Sequence, residues 1–210
     1  MYKKYIKRVL DFTFALILLI LTLPITLLTS IAIKLESPGP VFFKQKRSGI
    51  NGQLFTLMKY RSMSARNDVY DTSKKDEITR VGAFIRRFSI DELPQLLNIL
   101  RGEMSFVGPR PWIPDYYKNM NKQQRQRYNV KPGITGLAQA RGRNALSIHD
   151  KINSHIEYVQ HITFMRDIEI AALTLRTMLD KSTLEIGKSG IKDELDTLKA
   201  HKPSTEKVIG

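Results

Sequence analysis

The stretch FSIDELPQLLNIL, residues 88–100, sets two adjacent carboxylates, Asp91 and Glu92, directly before an apolar run. Leucines at helical spacing predict one apolar helix face, formed by Leu93, Leu96, Leu97 and Leu100. The pair Arg101-Gly102 is a typical helix end. We therefore expect a short helix that is anchored in the core by its leucines and carries both acids at its N-terminus.

Two interpretations of the acid pair stay open. The residues from Ser89 to Glu92 match a capping box, in which the first and last side chains bond free N–H groups of the first helical turn. Acids near a helix N-terminus also interact favourably with the helix dipole. Pro94 complicates the capping box, because its missing N–H is harmless only if Asp91, and not Ser89, begins the helix. In the second interpretation the two acids carry out chemistry.

The composition limits the classes of function. The chain has 210 residues and a formal net charge of +14, a length that suits one domain or one domain with an appendage. The hydrophobic fraction of 42% is sufficient for a folded core. The charge predicts an anionic partner, which is a nucleic acid, a membrane surface or a phosphate-bearing substrate. The sequence contains no cysteine, which excludes disulfides and cysteine-based zinc sites.

An apolar segment lies near the N-terminus, where residues 12–33 include no charged side chain. A helix of this length is about 33 Å long, enough to cross the hydrocarbon core of a bilayer. Both flanks are basic and favour the cytoplasmic side, so a helical hairpin that enters and leaves by one face satisfies both. Pro24 lies where such a hairpin needs a break, and the hydroxyls of Thr22 and Thr26 flank it. A kinked spanning helix and a signal peptide remain alternatives.

The rest of the chain predicts a mixture of helices and strands. Asn51-Gly52 is a strong turn signal between two β-rich runs and predicts a β-hairpin. Periodicity and polarity predict a loop over 64–75, helices over 76–87, 114–129, 147–160 and 164–180, and a short strand over 104–107. The tail from Lys188 is charged, and we expect it to be loosely held.

Cationic residues occur at several turns and predicted element ends. Arg110 lies between two prolines in the motif Gly108-Pro109-Arg110-Pro111, a rigid loop that would aim its guanidinium, and arginine is the preferred fork for phosphate oxygens. Carboxylates among cations suit a pyrophosphate substrate, because Mg²⁺ binds carboxylate and phosphate oxygens together. A carboxylate also attacks phosphorus to form an acyl phosphate. One acid would then be the nucleophile, while its neighbour binds metal or handles protons.

These motifs resemble those of the bacterial sugar transferases, the monotopic phosphoglycosyl transferases that start glycan assembly on a polyprenol phosphate. The matching segments fall in order: KRVLDF, ESPGPVFFKQKR, LMKYRSM, RRFSIDELPQLLNILRGEMSFVGPRP, KPGITGLAQARGRN and FMRD. The long middle block is the most specific of them. One departure concerns the membrane break, where the family often has Ser-Pro and this chain has Leu23-Pro24.

The resemblance implies an α+β fold in three parts. These are an N-terminal re-entrant membrane helix-break-helix (1–36), a cytosolic catalytic domain (37–187) and a charged C-terminal tail (188–210). The catalytic domain is expected to combine a small β-hairpin with several helices around the active site, some of them amphipathic and at the membrane interface. We also expect the chain to be the catalytic core alone, without the extra membrane bundle of the largest members.

The resemblance also implies the reaction. Asp91 attacks the β-phosphate of a UDP-sugar, UMP leaves, and polyprenol (undecaprenyl) phosphate then takes the phosphosugar from the enzyme. Asp91 is expected to hold Mg²⁺, and Glu92 is a second catalytic residue for activation or positioning. Substrate and phosphate contacts are expected from Lys59, Arg61, Arg86, Arg110, Gln139 and Arg143. The catalytic domain would face the cytoplasm at the bacterial cytoplasmic membrane, in contact with membrane lipids.

A non-enzymatic, basic, membrane-associated binding module is the alternative function. It explains the charge and the apolar segment, but not the adjacent acids and the GPRP motif that follows them. We expect no nucleic-acid partner, because the aromatic residues are scattered among apolar runs and not grouped with the basic ones. The sequence leaves open which sugar and which glycan pathway are involved, and whether the chain forms a homodimer.

Overall fold

A computed structural model describes residues 1–64, 78–142, 145–179 and 190–200. The elements in chain order are α1 (Lys7–Leu21), α2 (Leu23–Glu36), β1 (Phe42–Ser48), β2 (Leu54–Tyr60), α3 (Arg80–Arg87), α4 (Gln95–Leu100), β3 (Ser105–Val107), α5 (Pro114–Asn119), β4 (Gly133–Thr135), α6 (Leu137–Arg141), α7 (Ile148–Gln160), α8 (Phe164–Leu179) and α9 (Ile191–Ala200). This mixture of helices and short strands confirms the α+β class.

The chain divides into two compact units. The first combines Met1–Lys46 with Phe55–Phe106, and the second combines Arg47–Leu54 with Val107–Gly210. The helices α1 and α2 therefore share a unit with α3, α4 and the acid pair. The predicted boundaries at residues 36 and 187 stay predictions.

The predicted hairpin is confirmed, with β1 and β2 joined by a short turn at Ile50–Gly52. Asn51 and Gly52 both have positive φ, at 53° and 77°, as the Asn-Gly signal predicts. The N–H of Gly49 donates to the carbonyl of Gln53 across the turn at 2.7 Å. Residues 64–75, predicted as a loop, lie almost entirely outside the described part of the chain.

The N-terminal segment is a bent pair of helices. α1 and α2 meet at Thr22, and Pro24 falls in the first turn of α2, where its missing N–H costs no hydrogen bond. The hydroxyl of Thr22 donates to the carbonyl of Leu18 at 2.6 Å, and that of Thr26 to the carbonyl of Thr22 at 2.8 Å. The predicted break and its flanking hydroxyls are therefore both present.

In the described residues, no single helix is long and apolar enough to cross a bilayer. The segments Tyr2–Leu21 and Leu23–Glu36 meet that test only as a pair, bent by 61°. Many apolar side chains of the pair are exposed, among them Phe14, Ile20, Leu21, Leu23, Leu27 and Leu28. The pair therefore presents an apolar surface that the described part of the chain leaves exposed.

Polar residues of α1 fix it to the rest of the first unit. Arg8 donates to the carbonyls of Ile99 and Leu100 at 2.5 and 2.9 Å, where the last carbonyls of α4 lack helical partners. Asp11 is only 6% exposed, and its carboxylate accepts the N–H of Phe106 at 3.1 Å. These contacts explain why charged residues interrupt the start of an apolar segment.

α4 departs from the predicted pattern of burial. The helix ends at Leu100 as predicted, but Leu93, Leu97 and Leu100 are only half-buried. Asn98 is fully buried instead, and its amide joins three backbone or side-chain partners in the first unit. It donates to the carbonyl of Thr56 and the carboxylate of Glu103, and it accepts the N–H of Met58. A buried polar group needs such partners, and here they connect α4 to β2.

The helix predicted over 114–129 is wrong, because it is two short helices. α5 ends at Asn119, and a 3₁₀ turn follows at Gln124–Tyr128. Asn121 starts this turn through reciprocal hydrogen bonds with Gln124, at 2.9 and 3.0 Å. This arrangement resembles a capping box and begins a new turn, which separates the two segments.

The second unit has an aromatic and aliphatic core. It is formed by Trp112, Ile113, Tyr116, Met120, Tyr128, Ile148, Ile152, Leu195 and Leu198. The last two leucines belong to α9, in the segment that the sequence predicts to be loosely held. That prediction is wrong for Ile191–Ala200, because these residues form a helix that buries Leu195 and Leu198. The helices predicted over 147–160 and 164–180 are confirmed as α7 and α8.

Candidate active site

The acid pair lies in a turn between α3 and α4. Ser89 has a left-handed backbone, with φ 55° and ψ 21°, and a single 3₁₀ turn at Ile90–Glu92 follows it. A non-glycine residue in this conformation costs about 1–2 kcal/mol, a strain that proteins often retain at functional sites. The conformation reverses the chain after α3 and places Asp91 and Glu92 next to each other on a tight turn.

The predicted capping box is wrong. The side chain of Ser89 makes no capping hydrogen bond to a described residue, because the 3₁₀ turn separates it from α4. Pro94 is the N-cap residue of α4, so neither Ser89 nor Asp91 begins that helix. The acids are therefore not explained as caps of α4.

Lys59 on β2 supplies a cation to both acids. Its ammonium lies 2.5 Å from Glu92 Oε1 and 3.6 Å from Asp91 Oδ2. The three side chains are between 12% and 20% exposed, so the charges are partly removed from water. Their attraction is therefore stronger than that of a surface ion pair. The structure brings Lys59, Asp91 and Glu92 together as the sequence predicts.

Arg86 approaches the same acids from α3. Its Nε donates to Ser62 Oγ at 2.7 Å, which fixes the direction of the guanidinium. Burial lowers the pKa of Arg86, and the neighbouring Asp91 carboxylate partly offsets this effect. α3 packs so closely on Ser62 that a side chain at Gly82 would collide with the Ser62 backbone. Two cations, Lys59 and Arg86, thus lie beside the acid pair.

Arg61 has a different environment from the other predicted phosphate contacts. It is 7% exposed, and its guanidinium donates to the carbonyls of Ser37 and Pro38 at 2.7 and 2.5 Å. These carbonyls belong to the segment that leaves α2. The contacts favour a structural role for Arg61, which holds the end of α2 against the segment after β2.

The acid pair fits the chemistry of a magnesium site. In the described residues, no group of three or more histidine, cysteine, aspartate and glutamate side chains is arranged to hold a metal. Mg²⁺ does not require one, because it typically binds one or two carboxylates and completes its shell with water and substrate phosphates. Asp91 is the carboxylate that would hold it, and Glu92 is the nearest second acid.

Arg110 and Gln139 belong to the second unit. The carbonyl of Arg110 accepts a hydrogen bond from Arg127 at 2.6 Å, and Arg47 donates to the carbonyl of Pro111 at 3.3 Å. Burial, and then the charge of Arg110, lowers the pKa of Arg47 to about 10, so two guanidinium groups lie near each other here. Two arginine side chains thus hydrogen-bond to the backbone of the predicted loop, and their guanidinium groups bring positive charge to it.

Gln139 on α6 is 8% exposed. Its amide donates to the carbonyl of Ile134 at 3.3 Å, while its Oε1 is buried without a hydrogen-bond partner among the described residues. Arg143 lies outside the described residues, so its predicted role stays a prediction.

Sequence reasoning missed two residues that organise these sites. Ser62, in the quoted motif LMKYRSM, orients Arg86. Arg127 lies in the polar segment predicted as one helix over 114–129, yet it is 1% exposed, and its guanidinium lies 3.8 Å from the centre of the Trp112 ring. No spacing rule predicts that burial, because the aromatic partner lies in a distant segment of the chain.

Comparisons with known proteins agree with the motifs. The sequence model of the family described as bacterial sugar transferase matches residues 2–181. The chain belongs to this family, which confirms the resemblance seen in the sequence.

Three relatives illustrate the range of the family. The chain is 46% identical over 176 residues to "Uncharacterized sugar transferase EpsL" of Bacillus subtilis (strain 168), covering 83% of this chain and 87% of the relative. It is 44% identical over 185 residues to UDP-glucose:undecaprenyl-phosphate glucose-1-phosphate transferase of Caulobacter vibrioides, covering 82% and 69%. It is 37% identical over 185 residues to UDP-N-acetylgalactosamine-undecaprenyl-phosphate N-acetylgalactosaminephosphotransferase of Aeromonas hydrophila, covering 83% and 44%.

Proposed function

We propose that the protein transfers a sugar 1-phosphate from a UDP-sugar to a membrane polyprenol phosphate and releases UMP. Membership of the bacterial sugar transferase family supports this class of enzyme, as do the names of the Caulobacter and Aeromonas relatives. The observation that carries the proposal is the acid pair Asp91-Glu92 beside Lys59 and Arg86. Adjacent carboxylates and cations at a tight turn suit the handling of a diphosphate.

In the proposed reaction, a carboxylate oxygen of Asp91 attacks the β-phosphorus of the UDP-sugar. The bond from this phosphorus to the bridging oxygen breaks, UMP leaves with that oxygen, and an acyl phosphate that carries the sugar remains on Asp91. A phosphate oxygen of the polyprenol phosphate then attacks the same phosphorus. The acyl phosphate bond breaks, which regenerates the carboxylate and gives polyprenol diphosphate-sugar.

The neighbouring residues are assigned by their contacts. Lys59 is nearer to Glu92 than to Asp91, so Glu92 is proposed to fix the ammonium while Asp91 provides the nucleophile. Arg86, oriented by Ser62, is proposed to neutralise charge on the phosphates. Mg²⁺ held by Asp91 would neutralise the diphosphate further and favour the departure of UMP.

The membrane arrangement follows from the bent helices. We propose that α1 and α2 form a re-entrant hairpin in the bacterial cytoplasmic membrane and leave the catalytic part on the cytoplasmic face. The 61° bend, the apolar exposed surface and the basic flanks support it. The amphipathic α8 exposes Phe164, Met165 and Ile168, which suits contact with the membrane interface. In this position the protein would start the assembly of a bacterial glycan.

A panel of UDP-sugars with direct detection of UMP tests the proposed reaction. The purified protein, in detergent or nanodiscs with Mg²⁺ and undecaprenyl phosphate, should release UMP from at least one UDP-sugar and form a lipid-linked product. The alternative, a non-enzymatic basic binding module, predicts no UMP from any donor and a partner binding that weakens with salt. The absence of UMP with every donor would contradict the proposed activity.

A further inference from the structure

The last described helix, α9, lies beyond the part of the chain that the family model matches, which ends at residue 181. It buries Leu195 and Leu198, at 8% and 1% exposure, in the core of the second unit. α9 therefore packs against the rest of the second unit, close to the residues that follow the GPRP motif.

Glu194 connects α9 to two other helices. Its Oε2 accepts the hydroxyl of Tyr116 on α5 at 2.5 Å, and its Oε1 lies 2.7 Å from the ammonium of Lys151 on α7. The side chains of Lys151 and Glu194 are 18% and 13% exposed. Burial, and then Glu194, raises the pKa of Tyr116, so its hydroxyl keeps the proton that it donates. Each carboxylate oxygen thus has a defined partner on a different helix.

Tyr116 leads directly to the loop that carries Arg110. Its ring centre lies 4.7 Å from that of Trp112, two residues after Arg110. The guanidinium of Arg127 lies over the Trp112 ring at 3.8 Å and donates to the carbonyl of Arg110 at 2.6 Å. The contacts from Glu194 to Arg110 are therefore continuous within the second unit.

A role in packing alone does not require this carboxylate. A partly buried ion pair is often no more stabilising than apolar residues of the same size, because both charges lose water on burial. A charge-assisted hydrogen bond of fixed geometry, however, defines the orientation of the groups that it joins. The contacts of Glu194 with Tyr116 and Lys151 therefore suit a side chain that fixes the orientation of α5.

We propose that Glu194 is a positioning residue, which holds the loop of residues 108–113 through Tyr116 and Trp112 and so orients Arg110 toward a substrate phosphate. This role rests on the proposed function and on the sequence-based expectation that Arg110 contacts a substrate phosphate.

The first measurement is the kinetics of UMP release in Glu194→Ala and Glu194→Gln. Removal of one charge-assisted hydrogen bond is expected to raise KM for the UDP-sugar about tenfold in Glu194→Ala, with a smaller change in kcat. Glu194→Gln keeps an acceptor for Tyr116 and should give a smaller increase in KM. Asp196→Asn is the matched control, because this exposed acid of α9 pairs with Lys199 at the surface. An unchanged KM in Glu194→Ala overturns the proposal, whatever the change in Tm.

The second measurement repeats Glu194→Ala in an Arg110→Ala background. If Glu194 acts through Arg110, the change in KM caused by Glu194→Ala should largely disappear there. A general loss of stability would instead raise KM by the same factor in both backgrounds, which overturns the positioning role.

The third measurement does not depend on turnover. Hydrogen exchange of residues 108–116 should be faster in Glu194→Ala than in the wild-type protein and in Asp196→Asn. Equal protection in all three proteins overturns the proposal even if the enzyme is active. If exchange changes as expected but no UDP-sugar gives UMP, the proposed function fails while the fixing of the loop by Glu194 is supported.

Discussion

At the scale of single residues, Lys59 provides the positive charge that compensates the acid pair. Its ammonium lies against Glu92 and near Asp91, so two like charges occur together beside a compensating one. Ser89 contributes differently, because its left-handed backbone creates the turn on which both acids lie. Arg61, although it comes from the same motif as Lys59, is bound to backbone carbonyls and supports the structure.

Lys59→Met should therefore reduce UMP release strongly. Loss of the ammonium leaves the two carboxylates without the cation that lies between them and removes a positive charge from the proposed phosphate site. We expect kcat/KM to fall roughly 100-fold, the size found for one electrostatic group in an active site. Lys118→Met is the matched control, because Lys118 is 73% exposed and forms a surface pair with Asp115. Equal activity of the two variants would show that Lys59 has no part in the reaction.

The buried imidazole of His155 should make the free energy of unfolding depend on pH. Burial, followed by the charges of Arg127, Lys151 and Arg110, lowers its pKa well below 6.5. Below about pH 6.5 the unfolded chain binds a proton at this residue that the folded protein does not bind. The free energy of unfolding should therefore decrease as the pH falls below that value, by up to about 1.4 kcal/mol per pH unit.

Urea unfolding at pH 7, 6 and 5 measures this effect. His155→Gln should lose less stability on acidification than the wild-type protein, even if it is less stable at pH 7. His161→Gln, at an exposed position, serves as the control and should follow the wild-type protein. If the free energy of unfolding of His155→Gln decreases with falling pH as steeply as that of the wild-type protein, His155 does not cause the decrease.

At the scale of elements, α1 and α2 combine two roles. Their apolar surface suits a membrane, while Arg8 and Asp11 connect α1 to the end of α4 and to β3. At the other end, Glu36 accepts the N–H groups of Arg80 and Val81 at the start of α3, at 2.6 and 2.9 Å. The helices that flank the acid pair are thus held by the two ends of the bent segment.

The cysteine-free sequence allows a direct test of the re-entrant arrangement. Single cysteines at the exposed positions Lys3 and Lys44 should both react with a membrane-impermeant thiol reagent added to the cytoplasmic side of inverted vesicles. A cysteine at Leu21, beside the bend, should be protected by lipid. Labelling of position 3 from the opposite side alone would indicate a spanning segment and contradict the hairpin.

At the scale of the whole molecule, sequence patterns predicted the local features and missed those that depend on distant partners. Helical spacing predicted α7 and α8, the Asn-Gly signal predicted the β-hairpin and Pro24 predicted the break between α1 and α2, since each depends on neighbouring residues. The burial of Asn98, the burial of Arg127 and the docking of α9 depend on groups far away in the chain. The predicted capping box is wrong because residues 90–92 form a 3₁₀ turn instead of the first turn of α4. Of the predicted site, Lys59, Arg86, Asp91 and Glu92 come together.

The central claim is that Asp91 is the nucleophile, and the mass of the enzyme after reaction with the donor alone tests it most directly. Without polyprenol phosphate, wild-type protein should release up to one equivalent of UMP and gain the mass of one sugar phosphate. Cleavage after Arg87 and Arg101 gives a peptide in which Asp91 and Glu92 are the acids, so fragmentation can locate the added mass. We expect it on Asp91, and we expect neither the mass nor UMP in Asp91→Asn, while Asp196→Asn should behave as the wild-type protein does. An adduct on Glu92, or full UMP release by Asp91→Asn, would contradict the assignment.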